Sequence, residues 1–91
     1  MMTIKRTAQF KRDFKKIIRQ GYDANLMVDL LNKLANCEKL EEKYQDHALK
    51  GDLIGFRECH VAPDWLLIYS VSDDKLILTL TRTGSHRDLF G

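Results

Sequence analysis

Apolar side chains recur at helical spacing in the N-terminal third of the chain. Four of them fall on one face of a helix drawn over residues 8–20: Phe10, Phe14, Ile17 and Ile18. This 3.6-residue period predicts an amphipathic helix. Thr7 stands at the N-cap position, and Gly21 stands where a residue in the left-handed conformation would end the helix.

A second helix is predicted directly afterwards, over about residues 24–36, with Asp23 as its N-cap. The apolar face of this helix consists of Leu26, Met27, Leu30, Leu31 and Leu34. Because only the link G-Y-D separates the two helices, we expect an antiparallel helical hairpin. The charged, irregular stretch E-K-L-E-E-K-Y-Q-D then ends the helical region.

The other segments have the pattern of β-strands. Strands are predicted over residues 2–6, 54–61, 65–71 and 75–82. A turn at Ala62-Pro63 and a second turn at S-D-D (72–74) separate the last three strands, and Gly84 breaks the last one. Because the run W-L-L-I-Y-S-V is almost continuously apolar, its strand should lie at the centre of the sheet.

The predicted order β-α-α-β-β-β defines an α+β fold, with two N-terminal helices packed on a small antiparallel sheet. A length of 91 residues suits a single domain over residues 1–91. No apolar run approaches the roughly 20 residues of a membrane span, and the N-terminus lacks the apolar segment of a secretory signal. Cys37 and Cys59 have no metal-type spacing and are expected to be reduced thiols. We therefore expect a cytoplasmic protein that does not enter a membrane.

Charge is distributed unevenly behind a net value of +2. Residues 1–21 carry seven cationic side chains against the single carboxylate of Asp13, whereas residues 22–46 are acidic overall. On the first helix Arg12, Lys16 and Arg19 lie opposite the apolar face, with Lys15 beside them. A basic end on a small domain favours an anionic partner such as nucleic acid, although a lysine-rich helix face is often merely solvated.

Three histidines lie in polar segments of the C-terminal half: His47, His60 and His86. Imidazole exchanges protons near neutral pH, so the set suggests proton-transfer chemistry on a phosphate. The turn at Pro63 places Asp64 near His60, where a carboxylate could orient the imidazole. The alternative is an ordinary turn in which Asp64 caps its own backbone.

Arg82 and His86 flank a short segment, T-G-S, that could hold a phosphate through the arginine fork. The alternative is a solvated arginine at a strand end. Zinc sites usually show a closer histidine spacing than this chain has, and Ser85 lies in no nucleophile elbow. Trp65, Tyr69 and Phe90 could stack on unpaired bases, but Tyr69 is better explained as a core residue.

Three segments in this order carry a specific resemblance: D-H-A-L-K-G, G-F-R-E-C-H-V-A-P-D-W-L-L-I-Y and R-T-G-S-H-R-D-L-F-G. Together they resemble the YafQ branch of the RelE/ParE toxin superfamily, and the likeness covers essentially the whole chain. It implies a type II toxin that acts as a ribosome-dependent mRNA endoribonuclease, an mRNA interferase that cuts in the ribosomal A site. No cofactor is implied.

The resemblance also implies roles for particular residues. The catalytic set would be His47, His60, Asp64, Arg82 and His86. Phe90 and Trp65 would hold a base, and the cations of the first helix would bind ribosomal RNA. Lys50 stands where the family's best-known member has a neutral amide, a departure that would alter RNA affinity or codon preference.

RNA supplies its own nucleophile, the 2′-hydroxyl, so its cleavage requires a base, an acid and cationic stabilisation of the phosphorane rather than a metal. We expect His60 or His47 to act as the base, His86 as the acid, and Arg82 to stabilise charge. The competing class is a non-catalytic or ParE-like toxin that acts mainly through an antitoxin complex.

The expected partners follow from the resemblance. They are the ribosome, mRNA and a cognate antitoxin of the DinJ kind encoded in an adjacent gene, which would let the complex bind operator DNA.

Overall fold

The computed structural model describes residues 1–72 and 74–91. Its helices begin and end close to the predicted positions: α1 spans Ala8–Arg19 and α2 spans Ala24–Ala35. The Thr7 hydroxyl accepts a hydrogen bond from the Phe10 N–H at 2.9 Å, and the Asp23 carboxylate accepts one from the Asn25 N–H at 2.9 Å. Both predicted N-caps are therefore confirmed.

Gly21 follows α1 with φ of +97°, a value that glycine adopts without the strain that a side chain would cause. One prediction for the face of α2 was wrong. Leu26 is 40% exposed, whereas Ala35 is fully buried with the other core residues of that helix. The apolar stripe on α2 thus lies closer to its C-terminal end than the leucine pattern suggested.

The structure contains five strands and a short third helix. The strands are β1 (Thr3–Arg6), β2 (His47–Ala48), β3 (Arg57–Ala62), β4 (Trp65–Ser72) and β5 (Ile77–Gly84), and the third helix is α3 (His86–Phe90). Short 3₁₀ turns at Glu42–Tyr44 and Gly51–Leu53 flank β2. Of the turn predicted at 72–74, Asp73 lies outside the described residues.

The sheet has the strand order β1-β5-β4-β3-β2. The α+β class and the meander of β3, β4 and β5 are as predicted, but β1 runs parallel to β5, so the sheet is mixed rather than antiparallel. A parallel neighbour requires a long crossover, and much of the connection between β1 and β5 is formed by the two helices. The Met2 N–H donates to the Ala35 carbonyl at 2.8 Å and fixes the end of α2 beside this edge.

Strand β4 is central, as its apolar run predicted, and its residues from Trp65 to Tyr69 are all buried. Leu67 and Tyr69 pack into the core beneath α1 and α2. Leu66 and Ile68 are 2% and 4% exposed, yet they are not part of that core. Since side chains alternate along a strand, these two face the side of the sheet away from the core beneath α1 and α2, called here the open face.

None of the helices in the described ranges is long and apolar enough to cross a membrane.

Candidate active site on the open face

The strand register places His47, His60 and Arg82 in two neighbouring rows that cross the sheet, with His47 and Arg82 three strand spacings, roughly 14 Å, apart. His47 lies opposite Glu58, Glu58 opposite Ile68, and Ile68 opposite Arg82. In the next row His60 lies opposite Leu66, which lies opposite Gly84, two residues before His86. Directly opposed residues project from the same face, and diagonal neighbours such as His47 and His60 lie about 7–8 Å apart.

His47 has contacts on both sides of its ring. Its Nδ1 lies 2.6 Å from the Gln45 carbonyl oxygen, and its Nε2 lies 3.5 Å from Glu58 Oε1. Because a carbonyl only accepts, Nδ1 carries the proton of the neutral ring and Nε2 keeps a lone pair. Glu58 is only 7% exposed, so its carboxylate is placed to stabilise the imidazolium that forms when Nε2 takes a proton.

Among the described residues, the structure pairs a carboxylate with His47 rather than with His60. His60 Nδ1 lies 3.3 Å from the Pro63 carbonyl, and no ion pair joins His60 to Asp64 among the described residues. The register places Ala62 opposite Trp65, so Asp64 lies in the tight turn and is exposed. The sequence analysis did not include Glu58 in the site, because the two-residue strand β2 shows no pattern in the sequence. Unless β2 is recognised, nothing places His47 opposite Glu58.

Arg82 is anchored by a carboxylate of α1. Its Nε and Nη2 atoms donate to Asp13 at 2.7 and 3.2 Å, which uses two of the five guanidinium N–H groups. Asp13 is 9% exposed and also accepts from the Gln9 amide and the Thr83 N–H. Burial alone would raise the pKa of Asp13, but these hydrogen bonds outweigh it and leave the pKa below its ordinary value.

Asp13 was missed as part of the site, although it is the only carboxylate among the cations of the first helix. Its partner is 69 residues away in sequence, so only the fold reveals the pair. The hydrogen bond to Asp13 in turn raises the pKa of Arg82 further, and the guanidinium stays charged at any physiological pH.

His86 and Phe90 form an exposed pair on α3. The Ser85 hydroxyl caps this helix by accepting from the Asp88 N–H at 3.1 Å. The two ring centroids are 5.2 Å apart with an interplanar angle of 47°, and Phe90 is 43% exposed. Both side chains are therefore accessible beside the row that ends at Gly84.

Trp65 is excluded as a base-stacking residue. It is fully buried, its ring packs against Phe14 and Tyr22, and its Nε1 donates to the Thr83 hydroxyl at 2.8 Å. The sequence prediction for Trp65 was wrong because its indole belongs to the face of β4 that α1 covers.

The cationic row on α1 is exposed along its length, and it consists of Arg12, Lys15, Lys16 and Arg19. Lys16 Nζ lies 3.2 Å from Asp88 Oδ1, so it also links α1 to α3. Lys50 is exposed and immediately precedes the second 3₁₀ turn.

Three relatives resemble the chain over nearly its whole length. The mRNA interferase toxin YafQ of Escherichia coli K12 is 38% identical over 89 residues, covering 97% of this chain and 95% of the relative. A metal-bound toxin from Helicobacter pylori has 42% identity and a TM-score of 0.91, covering 99% and 100%. The matched chain of the E. coli DinJ–YafQ complex is 37% identical to this chain, with a TM-score of 0.88. The match covers 100% of this chain and 100% of that one.

The described residues include no group of three or more histidine, cysteine or acidic side chains placed to share a metal ion.

Fold and site together define the class of protein. Residues 2–91 match the family described as the bacterial toxin of a type II toxin–antitoxin system, YafQ. The chain belongs to this YafQ toxin family.

Proposed function

We propose that this protein is an mRNA interferase, a ribosome-dependent endoribonuclease that cuts mRNA in the ribosomal A site. The name of the E. coli relative supports the activity. The observation that carries the proposal is the His47 imidazole, whose Nε2 lone pair lies beside a buried carboxylate on the open face. A base in this position would have a carboxylate beside it to stabilise its charged form.

In the proposed reaction the 2′-hydroxyl of the mRNA is the nucleophile. A base removes its proton, the 2′-oxygen forms a bond to phosphorus, and the bond from phosphorus to the 5′-oxygen breaks. An acid protonates the departing 5′-oxygen. The products carry a 2′,3′-cyclic phosphate and a 5′-hydroxyl, and no metal or protein nucleophile takes part.

The roles follow from the contacts of each side chain. His47 is favoured as the base by its Glu58 partner, and His60 is the alternative, since its Nδ1 also faces a carbonyl. His86, exposed on α3, serves as the acid. Arg82, fixed by Asp13, offers its remaining N–H groups to the phosphorane charge.

The remaining site residues would bind RNA. Phe90 stacks on a base from the end of α3, where its ring is exposed. Asp64 accepts hydrogen bonds from the substrate instead of orienting His60. Lys50 contributes positive charge near the mRNA backbone, and the α1 row contacts ribosomal RNA.

The proposed partner in the resting cell is a cognate antitoxin, supported by the E. coli DinJ–YafQ complex. The antitoxin would cover the open face, and the complex would bind operator DNA through it. The toxin itself would act in the cytoplasm, where ribosomes and mRNA are.

Induction in growing bacteria followed by primer extension tests the function. We expect growth arrest with mRNA cuts at codon-spaced positions, which disappear when translation initiation is blocked. Growth arrest with damaged DNA and intact mRNA would instead indicate a ParE-like toxin and would overturn the proposal. A variant lacking both His47 and His86, produced at the same level, is the control for nonspecific toxicity.

A further inference from the structure

The segment that carries His47 joins the sheet through a strand of two residues. Strand β2 is limited to His47 and Ala48, at the edge of the sheet, and the next ladder contact is the Leu49 N–H to the Phe56 carbonyl at 2.9 Å. Gln45, just before, has φ of +48°, a conformation that is uncommon for residues with a side chain. Backbone pairing alone therefore fixes this segment weakly.

The Asp46 side chain supplies a second attachment. Its carboxylate accepts from Arg57 Nη2 at 2.9 Å, more weakly from Arg57 Nε at 3.4 Å, and from the Tyr69 hydroxyl. Arg57 and Tyr69 lie opposite each other on β3 and β4, so both project from the face that the helices cover. The three residues line a cavity of about 700 Å³.

Asp46 and His47 therefore contact opposite faces of the same sheet. Asp46 is bound to Arg57, whereas His47 lies against Glu58, the next residue of β3. We propose, resting on the function above, that Asp46 is a positioning residue: its bonds to Arg57 and Tyr69 fix where the His47 imidazole stands beside Glu58. A shift of Asp46 moves the adjacent ring, because one peptide unit joins them.

The protonation states suit a fixed attachment. Burial, reinforced by the Asp46 carboxylate, raises the pKa of Tyr69 far above neutrality, so its hydroxyl remains a donor. The hydrogen bond to Asp46 raises the pKa of Arg57, which stays cationic. The two donors thus keep their protons throughout the range in which histidines exchange theirs.

Two measurements on Asp46→Asn and Tyr69→Phe test this role. In the free protein, the ring NMR signals of His47 and their pH titration should change, while those of His60 and His86 stay as in the wild type. On programmed ribosomes, kcat should fall about 10- to 100-fold, the size expected for a misplaced reacting group, with KM changed less than about two-fold. Arg57→Lys, which keeps the charge but loses the fork, should lie between these variants and the wild type.

Glu41→Gln is the matched control. It removes the same charge from the same cavity and breaks the ion pair to Lys33 at 3.0 Å, a pair that includes none of Asp46, Arg57 and Tyr69. It should leave both the His47 signals and kcat unchanged. If Asp46→Asn fails to fold, Tyr69→Phe decides, because it keeps the buried ring.

Unaltered His47 signals in Asp46→Asn and Tyr69→Phe would overturn the proposal, even if kcat fell. Altered signals with unchanged kcat would support the positioning role and transfer the base to His60. Absence of cleavage by the wild type would overturn the ribonuclease function alone, since the NMR measurement needs no substrate.

Discussion

Carboxylates lie beside two of the side chains that we propose act on RNA. Glu58 lies beside His47, and Asp13 receives two hydrogen bonds from Arg82. Each pair joins parts of the chain that are distant in sequence or in separate strands. At the residue scale, the carboxylates orient groups that would otherwise rotate freely at a protein surface.

Substitution of the histidines tests the proposed proton transfers. His47→Ala and His86→Ala should each reduce the rate of mRNA cleavage by at least about 100-fold, because a positioned acid or base contributes 10²–10⁴-fold. The circular dichroism spectrum and unfolding midpoint should stay close to those of the wild type, since neither ring is part of the core. Losses of about ten-fold or less in both variants would remove these residues from the proton transfers.

Asp13 leads to a prediction about stability and pH. Its pKa in the folded protein lies below that of the unfolded chain, so it stabilises the fold above about pH 4 and loses that effect as pH falls further. Asp13→Asn should lower the free energy of unfolding by about 2 kcal/mol at pH 7, the usual range for hydrogen bonds to a charged partner.

Urea unfolding at pH 7 and pH 3 measures this difference, which should shrink at the lower pH. Asp29→Asn, on an exposed position of α2, is the control and should have little effect at either pH. A difference between Asp13→Asn and the wild type that is equal at both pH values would contradict the account of the ion pair.

Helix α1 has separate roles on its two sides. Phe10 and Ile17 are buried in the core, whereas Lys15 and Arg19 are exposed. Lys16 is a less suitable probe than either of these, since it also binds Asp88 at the base of α3. At the element scale, the same helix packs on the sheet with one side and leaves positive charge exposed on the other.

Charge reversal at Lys15 and Arg19 should therefore weaken binding to ribosomes without unfolding the protein. The slope of log Kd against log salt should fall by about one for each phosphate contact that is lost. Reversal of Lys39 and Lys75, two exposed lysines far from α1 in sequence, makes the same charge change and should weaken binding less. Equal effects of the two double variants would show that only net charge matters.

At the scale of the whole molecule, the features that depend on neighbouring residues in the sequence were predicted correctly. Helices α1 and α2 have twelve residues each, enough for the apolar period and the caps to be visible in the sequence. Strand β4 was predicted as central because a strand buried on both faces is apolar throughout. These features depend on neighbours in sequence, so the sequence alone reveals them.

The sequence analysis missed contacts between parts of the chain that are distant in sequence or lie in very short elements. Strand β2 has two residues and α3 has five, too few for any period, so the pairing of His47 with Glu58 was invisible. The parallel pairing of β1 with β5 depends on the path of the helices rather than on the strand itself. Trp65 is buried because its side chain lies on the face of β4 that α1 covers. When a strand is almost wholly apolar, its sequence does not show which residues lie on which face.

The central claim is that the transcript attacks itself through its own 2′-oxygen. The most direct measurement uses ribosomes carrying mRNA with a single 2′-deoxy sugar on the 5′ side of the cleaved bond. Cleavage at that bond should disappear, while cleavage of the all-ribose transcript continues and leaves a 2′,3′-cyclic phosphate. Cleavage at the deoxy position at an undiminished rate would contradict this claim.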